Sequence, residues 1–235
     1  MGEGMNGDHQ RLDELIKAHC SAEWRRRLRD HNIQVGYAKG EAVFSSGQKA
    51  DRMFMVHHGR VKVVADIGKG QGRIIRLAGD GEMLGHRALG QKPTYTAGAI
   101  ALVPTVMNVI PMALFLETLR ENPRFCYHFL LRFAAEMRLL DQHLRDLRTM
   151  DVAQRVVRVL LICRDTFGMD ARDRRQLAYT LPRRDIASMA DTTYESVVRS
   201  LSSLQQEGLI ELVGKNVRLC KPMALEKLLG RGVAG

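Results

Sequence analysis

Hydrophobic positions along this 235-residue chain follow different periods in different stretches. From Ile33 to Pro111 short apolar runs alternate with glycine turns. The runs are Ala42-Val43-Phe44, Met53 to Val56, Val61 to Val64 and Arg73 to Leu77. The turns are Ser46-Gly47, His58-Gly59, Gly68-Lys69-Gly70-Gln71-Gly72 and Gly79-Asp80-Gly81. Such spacing predicts an antiparallel roll of about eight strands, a shape that often encloses a ligand. Ahead of the roll, Leu12, Leu15, Ile16 and Trp24 predict one or two short helices over 11–30. Residues 97–116 are apolar enough to suggest a membrane span. Pro104, Asn108 and Pro111 cut them into two strand-length pieces and a helix start.

From about Asn122 to Thr149 the period changes. Cys126, Leu130, Phe133, Met137, Leu140, Leu144 and Leu147 are spaced 4, 3, 4, 3, 4 and 3, the seam of a coiled coil. Arg132, Glu136, Arg138, Asp141 and Arg145 keep the flanks polar. The pattern predicts a long helix, either a homodimer contact or a helix packed on its own domain. Residues 151–179 are expected to continue as helix, with a polar link at 170–175 leading into the last module.

That module, 183–219, is the most informative stretch. Ile186 and Met189 form the buried side of one short helix, and small Ala187 sits where two helices would cross. Val197, Leu201 and Leu204 form the buried side of a second, and Ala190-Asp191-Thr192 is the turn between them. Thr193, Tyr194, Glu195, Ser196 and Arg199 then point outward from the second helix. This is a helix-turn-helix whose second helix can enter a DNA major groove by its N-terminal end. The same residues also fit a capping box in which Glu195 only closes the helix terminus. After Gly208, two apolar runs flank Val213-Gly214-Lys215-Asn216 and predict a β-hairpin, so the module is winged. Lys215 at its tip is placed to meet a phosphate. Two-fold symmetry favours the homodimer, because paired recognition helices about 34 Å apart meet successive major grooves.

Charge adds modest support. Lys plus Arg exceed Asp plus Glu by 36 to 26, which favours a polyanionic partner. From Asp151 onward the count is only 14 to 10, so the basicity is not confined to the winged end. Cys20, Cys126, Cys163 and Cys220 are too scattered for a zinc or iron–sulfur site, and buried reduced thiols are expected. The opening MGEGMNGDHQRLDEL has no apolar run, so a cytoplasmic protein without a membrane partner is expected. No nucleophile–base pairing, phosphate loop or HExxH pattern is present, and the glycines at 68–72 precede a strand, so an enzyme is not expected.

Roll, long helix and winged helix, in that order, resemble the family of the cyclic-AMP receptor protein and the fumarate–nitrate reductase regulator. The resemblance runs over about 12–229. It rests on Gly40-Glu41 to Gly47, Met53-Phe54 to Val63, Leu77 to Asp80, Gly85 to Leu89, Arg183 to Ala187, Glu195 to Arg199 and Leu204 to Ile210. It implies an α+β chain with a β-roll sensor at 1–121, a dimerisation helix at 122–150 and a winged DNA-binding domain at 151–235. It also implies that Glu195 and Arg199 read bases, with Arg183 and Ser196 beside them. The implied partners are a palindromic operator, a second copy of the chain and RNA polymerase. Tyr194 stands where the family varies, Asp191 where the turn usually has Gly, and Pro182 where a Thr usually caps.

The sensor departs from the cyclic-nucleotide pattern. Where that pattern has Gly-Glu, this chain has Gly85-His86. Where it has Arg-Ser or Arg-Thr, this chain has Tyr95-Thr96, and Leu140-Asp141 replaces the Thr-Ser of the long helix. A phosphate without its Arg loses a charge-assisted bond worth about 1.5–3 kcal/mol, so cyclic AMP is not the expected effector. Arg87 is the substitute this turn offers. Gly85, His86, Arg87, Tyr95, Thr96 and Leu140 are the candidate effector pocket. Haem is a second cofactor to test, with His86, His57, His58 and Met83 as candidate axial ligands. The leading function is a homodimeric, sequence-specific transcription regulator. The alternative is a ligand-binding module acting through protein partners.

Overall fold

The computed structural model describes residues 11–66, 72–90 and 93–230. The opening MGEGMNGDHQ and most of the expected Gly68–Gly72 turn lie outside these residues. The chain forms two compact units. Among the described residues, one comprises those up to 72 with 78–141, and the other comprises 73–77 with 142–230.

In the first unit, helices α1 (Leu12–His19) and α2 (Ala22–Asp30) precede strands β1 (Ile33–Tyr37), β2 (Ala42–Phe44), β3 (Arg52–His58) and β4 (Val61–Asp66). β6 (Met83–Leu84), β7 (Gly98–Ala101) and β8 (Thr105–Pro111) follow, and with β5 (Gly72–Ala78), whose residues 73–77 fall in the second unit, make up the eight strands expected from the glycine-punctuated pattern. One sheet runs β1-β8-β3-β6, and in the other β7 lies between β2 and β4. All the recorded pairings are antiparallel, as in Ile33↔Val109 and Met53↔Ile110. The apolar stretch at 97–116 becomes β7, β8 and the start of α3 (Met112–Glu121). Among the described residues no helix is long and apolar enough to cross a membrane.

Phe44 stacks on Tyr95 at 4.1 Å and on Phe54 at 5.3 Å, filling the space between sheets with aromatic rings. A second aromatic group, Phe115, Phe125 and Phe129, seats α3 against α4 (Pro123–Thr149). Pro123 opens α4 at the one place where its missing N–H costs nothing. Buried Asn122 closes α3 by donating to the Thr118 carbonyl (3.0 Å) and accepts from the Ser21 N–H of the N-terminal pair (3.0 Å).

The second unit begins with the last turns of α4. Asp151 then caps α5 (Val152–Phe167) in a reciprocal box. Its carboxylate accepts from Gln154 N–H at 2.8 Å, and the Gln154 side chain accepts from Asp151 N–H at 3.0 Å. The expected helix over 151–179 stops at Phe167. Gly168 takes φ 78°, a conformation that closes a helix and that other residues avoid. Residues 169–177 instead run beside the wing through bridges Met169↔Leu177 and Gln176↔Arg218. α6 (Arg183–Ala190), α7 (Tyr194–Gln206), β9 (Ile210–Val213), β10 (Asn216–Leu219) and α8 (Pro222–Leu228) complete the unit.

Candidate functional site

The helix-turn-helix forms as its apolar period requires. α6 buries Ile186, Ala187, Met189 and Ala190, and α7 buries Val197, Leu201 and Leu204. The turn depends on Asp191, the only non-glycine residue with positive φ among the described residues (φ 52°, ψ 56°). Asp tolerates this left-handed region better than most side chains. Arg155 of α5 supports it. Its guanidinium donates to the carbonyls of Ala190 (2.8 Å), Asp191 (3.4 Å) and Met150 (3.0 Å). A cation placed on the carbonyl ends of two helices also meets their negative poles. Nothing in the period of the sequence singled out Arg155.

Thr193 caps α7, its hydroxyl accepting from Ser196 N–H at 3.2 Å. The third helical residue is therefore Ser196, so the capping box centred on Glu195 does not form. The Glu195 carboxylate is held below its ordinary range by its own backbone N–H, then by the Thr193 hydroxyl, with Arg199 nearby. Thr193, Tyr194, Glu195 and Arg199 are exposed, and Ser196 is half-buried. Arg199 donates to Ser196 Oγ at 3.2 Å, which extends its side chain along this face. The N-terminal turn of α7 thus offers a carboxylate acceptor and a guanidinium donor one turn apart. The wing is a two-residue hairpin, Val213↔Asn216, with Gly214 (φ 59°) and exposed Lys215 at its tip. Arg183 is half-buried and donates to the Lys215 carbonyl at 3.4 Å, tying the start of α6 to the tip.

The sensor candidates fall into two groups. Gly85 (φ 86°) leads into a 3-10 turn, His86–Ala88. His86 is 1% exposed, and its Nε2 lies 2.6 Å from Glu136 Oε2 on α4. Arg87 donates to Glu136 Oε1 through Nη2 (2.7 Å) and Nε (3.2 Å). Glu136 has the look of a solvent-facing flank in the heptads, yet it is the residue that gathers this turn. Tyr95 is buried instead in the aromatic group, its hydroxyl donating to the Arg52 carbonyl at 2.8 Å. Thr96 is exposed and Leu140 half-buried. Haem does not fit these residues as they stand. Among the candidate axial ligands, His86 is held through Nε2 by Glu136, His57 and His58 are exposed, and Met83 is buried on β6. Among the described residues no group of three metal-binding side chains gathers.

The heptad positions divide by depth. Cys126 is exposed, and Leu130 and Leu144 are 62% and 60% exposed. Phe133, Met137, Leu140 and Leu147 are half-buried, Phe133 lying edge-on to His86 at 6.1 Å. Tyr127, Leu131 and Leu139, outside the heptads, are exposed as well. Cys126, Tyr127, Leu130, Leu131 and Leu144 thus share one broad apolar side of α4, while Leu139 lies opposite Leu130.

In the second unit, Arg158 of α5 pairs with Asp146 of α4 (Nε to Oδ2, 3.0 Å), and both are buried, at 9% and 4% exposure. Gln142 Nε2 donates to Asp146 Oδ1 at 2.6 Å. Arg158 also donates to Nδ1 of His143. A guanidinium can only donate, so the imidazole is neutral. Burial, and then the Arg158 charge, hold the His143 pKa down to about 4 against an ordinary 6.5. Between those values the unfolded chain binds the extra proton. This contribution to stability is complete above about pH 6.5 and is lost as the pH falls toward 4. Unfolding free energies measured in denaturant should therefore decline more steeply from about pH 7 to 5 for the native chain than for His143→Gln. Equal slopes would sink this account.

Comparison with known proteins agrees with the geometry. A cyclic nucleotide-binding domain model matches residues 34–122, and a Crp-like helix-turn-helix domain model matches 154–228. Transcriptional regulator LdrP of Thermus thermophilus is 30% identical over 195 residues, 83% of this chain and 95% of that protein. The CRP-like cAMP-activated global transcriptional regulator of Mycobacterium tuberculosis is 25% identical over 187 residues, 78% of this chain and 82% of its own. A crystal structure of a CRP-family transcriptional regulator from Thermus thermophilus is 28% identical. Its TM-score is 0.68, over 86% of this chain and 100% of that one. FixK2 from Bradyrhizobium japonicum, at 21% identity and TM-score 0.75 over 84% of this chain and 96% of its own, shares the fold. The chain belongs to the CRP/FNR family, whose members regulate transcription through a helix-turn-helix rather than catalyse a reaction.

Proposed function

We propose that the protein is a homodimeric, sequence-specific DNA-binding regulator acting in the cytoplasm on a palindromic operator. The observation that carries this reading is the exposed, capped N-terminal turn of α7, which presents Glu195 and Arg199 on a helix seated by Val197, Leu201 and Leu204. Arg199 suits guanine O6 and N7, and Glu195, ionised, suits cytosine N4. Thr193, Tyr194 and Ser196 line the same groove, Lys215 meets a phosphate, and Arg183 steadies the wing beside it. The domains are the roll sensor at 1–121, the dimerisation helix at 122–150 and the winged module at 151–235. RNA polymerase is the partner through which such a dimer acts on transcription.

The second copy covers the stripe on α4 with Cys126, Leu130, Phe133, Met137, Leu140, Leu144 and Leu147 in the seam. Two exposed leucines in heptad register support this, since a long helix rarely leaves such surface uncovered. A double variant, Leu130→Arg with Leu144→Arg, is expected to sediment as a 26.5 kDa monomer where the native chain sediments as a dimer. The native chain should enrich an inverted repeat from a random duplex pool, and the variant should enrich nothing. Sedimentation of the native chain as a monomer, or failure to enrich any sequence, overturns the proposal.

The effector is not cyclic AMP. The position that holds the ribose in cyclic-nucleotide binders carries His86, already paired with Glu136. The position that holds the phosphate carries Tyr95, whose hydroxyl is committed to Arg52.

A further inference from the structure

Both carboxylate oxygens of Glu136 are taken by a single three-residue turn. Oε2 meets His86 Nε2 at 2.6 Å, and Oε1 accepts from two nitrogens of the Arg87 fork at 2.7 and 3.2 Å. The Glu136 side chain is 15% exposed, that of Arg87 24% and that of His86 1%. The turn is fixed from behind. Gly85 holds φ 86°, and a Cβ there would lie 3.1 Å from the Arg52 carbonyl and 3.2 Å from the Tyr95 ring. A guanidinium fork and an imidazole converging on one carboxylate, away from water, is the arrangement with which proteins hold a carboxylate or phosphate ligand. Here the anion comes from the chain itself, from α4, fifty residues further along the sequence.

We propose that Glu136 is a built-in anionic ligand. It fills the seat formed by His86 and Arg87, and so fastens the sensor turn to α4 without any small molecule. An external carboxylate or phosphate enters that seat only after Glu136 leaves it. The intramolecular carboxylate has the advantage of its tether, which corresponds to an effective concentration in the millimolar range or above. Resting on the reading of the chain as a DNA-binding dimer, the proposal makes the protein competent for DNA with the sensor unliganded. It also makes loss of Glu136 equivalent to removing an effector.

The test compares the full-length native chain, Glu136→Ala, and Glu136→Ala combined with Arg87→Ala. Each is assayed on the duplex selected by the native chain, in sodium chloride and in sodium acetate of equal ionic strength. Acetate is the probe because it is the glutamate headgroup without its tether. The native chain gives the general effect of exchanging chloride for acetate on DNA binding, against which the variants are read. Glu136→Ala should bind about ten-fold or more weakly in chloride and recover part of the loss in acetate, a range ordinary for coupled sites. The double variant should not recover. If Glu136→Ala does not fold, Glu136→Gln, which keeps the shape and loses the charge, should show the same loss. A Glu136 variant, whichever folds, with native affinity in chloride overturns the proposal, and so does a native chain that gains as much from acetate as Glu136→Ala does. If the native chain selects no DNA, the DNA reading fails by itself. Thermal unfolding then decides: acetate should raise the melting temperature of Glu136→Ala and leave that of the native chain unchanged, and the reverse result overturns the built-in ligand.

Discussion

Replacing Arg199 by Ala should abolish operator discrimination while leaving the fold intact. The side chain is exposed, its one recorded bond goes to Ser196 Oγ at 3.2 Å, and no core contact depends on it. A bidentate pair to guanine is worth about 1–3 kcal/mol of base discrimination. A two-fold dimer makes that contact twice, so operator affinity should fall by about 2–6 kcal/mol, roughly 30-fold to 10⁴-fold. Random-sequence duplex, bound mainly through phosphates, should lose far less. Lys215→Ala provides the contrast. It should weaken every sequence alike and lower the salt dependence by about one counterion per protomer. Fluorescence anisotropy on selected and scrambled duplexes measures both. If Arg199→Ala weakens the two duplexes equally, Arg199 does not read bases.

Asp146→Ala should be among the most destabilising single changes in the second unit. It takes the carboxylate away from a guanidinium only 9% exposed, beside an imidazole that must stay neutral. Breaking a buried ion pair by removing one partner costs about 3–5 kcal/mol. For a chain of this size each kcal/mol moves the melting temperature by about 2–4 °C, so a fall of roughly 6–20 °C is expected. The pair itself need not be stabilising, because desolvating two charges offsets most of their attraction. Asp146→Leu combined with Arg158→Met should therefore recover much of the loss. A single variant that unfolds within about 1 kcal/mol of the native chain would show that the pair fastens nothing. A double variant less stable than Asp146→Ala would show that it contributes more than a hydrophobic contact.

These two residues mark where sequence reasoning succeeds and where it stops. Ile186, Met189, Val197, Leu201 and Leu204 were legible because helical burial repeats locally, and all five are buried. The wing was legible because a two-residue turn with Gly214 leaves only one register. Glu136, Asp146 and Arg155 were not, since a charged residue on a helix flank looks the same whether it faces water or a partner. His86 lies 50 residues from Glu136, and Ala190 lies 35 from Arg155. No periodicity spans such distances. The end of α5 was misjudged for a different reason. Leu177, Ala178 and Tyr179 resume an apolar run beyond the polar link, but Gly168 leaves the helical region and redirects the chain along the wing.

The exposed Cys126 has a consequence for the chemistry of the molecule. Burial pushes the Cys20 thiol up to about 11 and that of Cys163 to about 12, so neither supplies thiolate near neutrality. Cys220 is only partly exposed. The sulfur most open to oxidants and alkylating agents thus sits on the apolar stripe of α4. In the proposed dimer that stripe is covered, so an alkylating agent should reach Cys126 faster in the Leu130→Arg, Leu144→Arg variant than in the native chain.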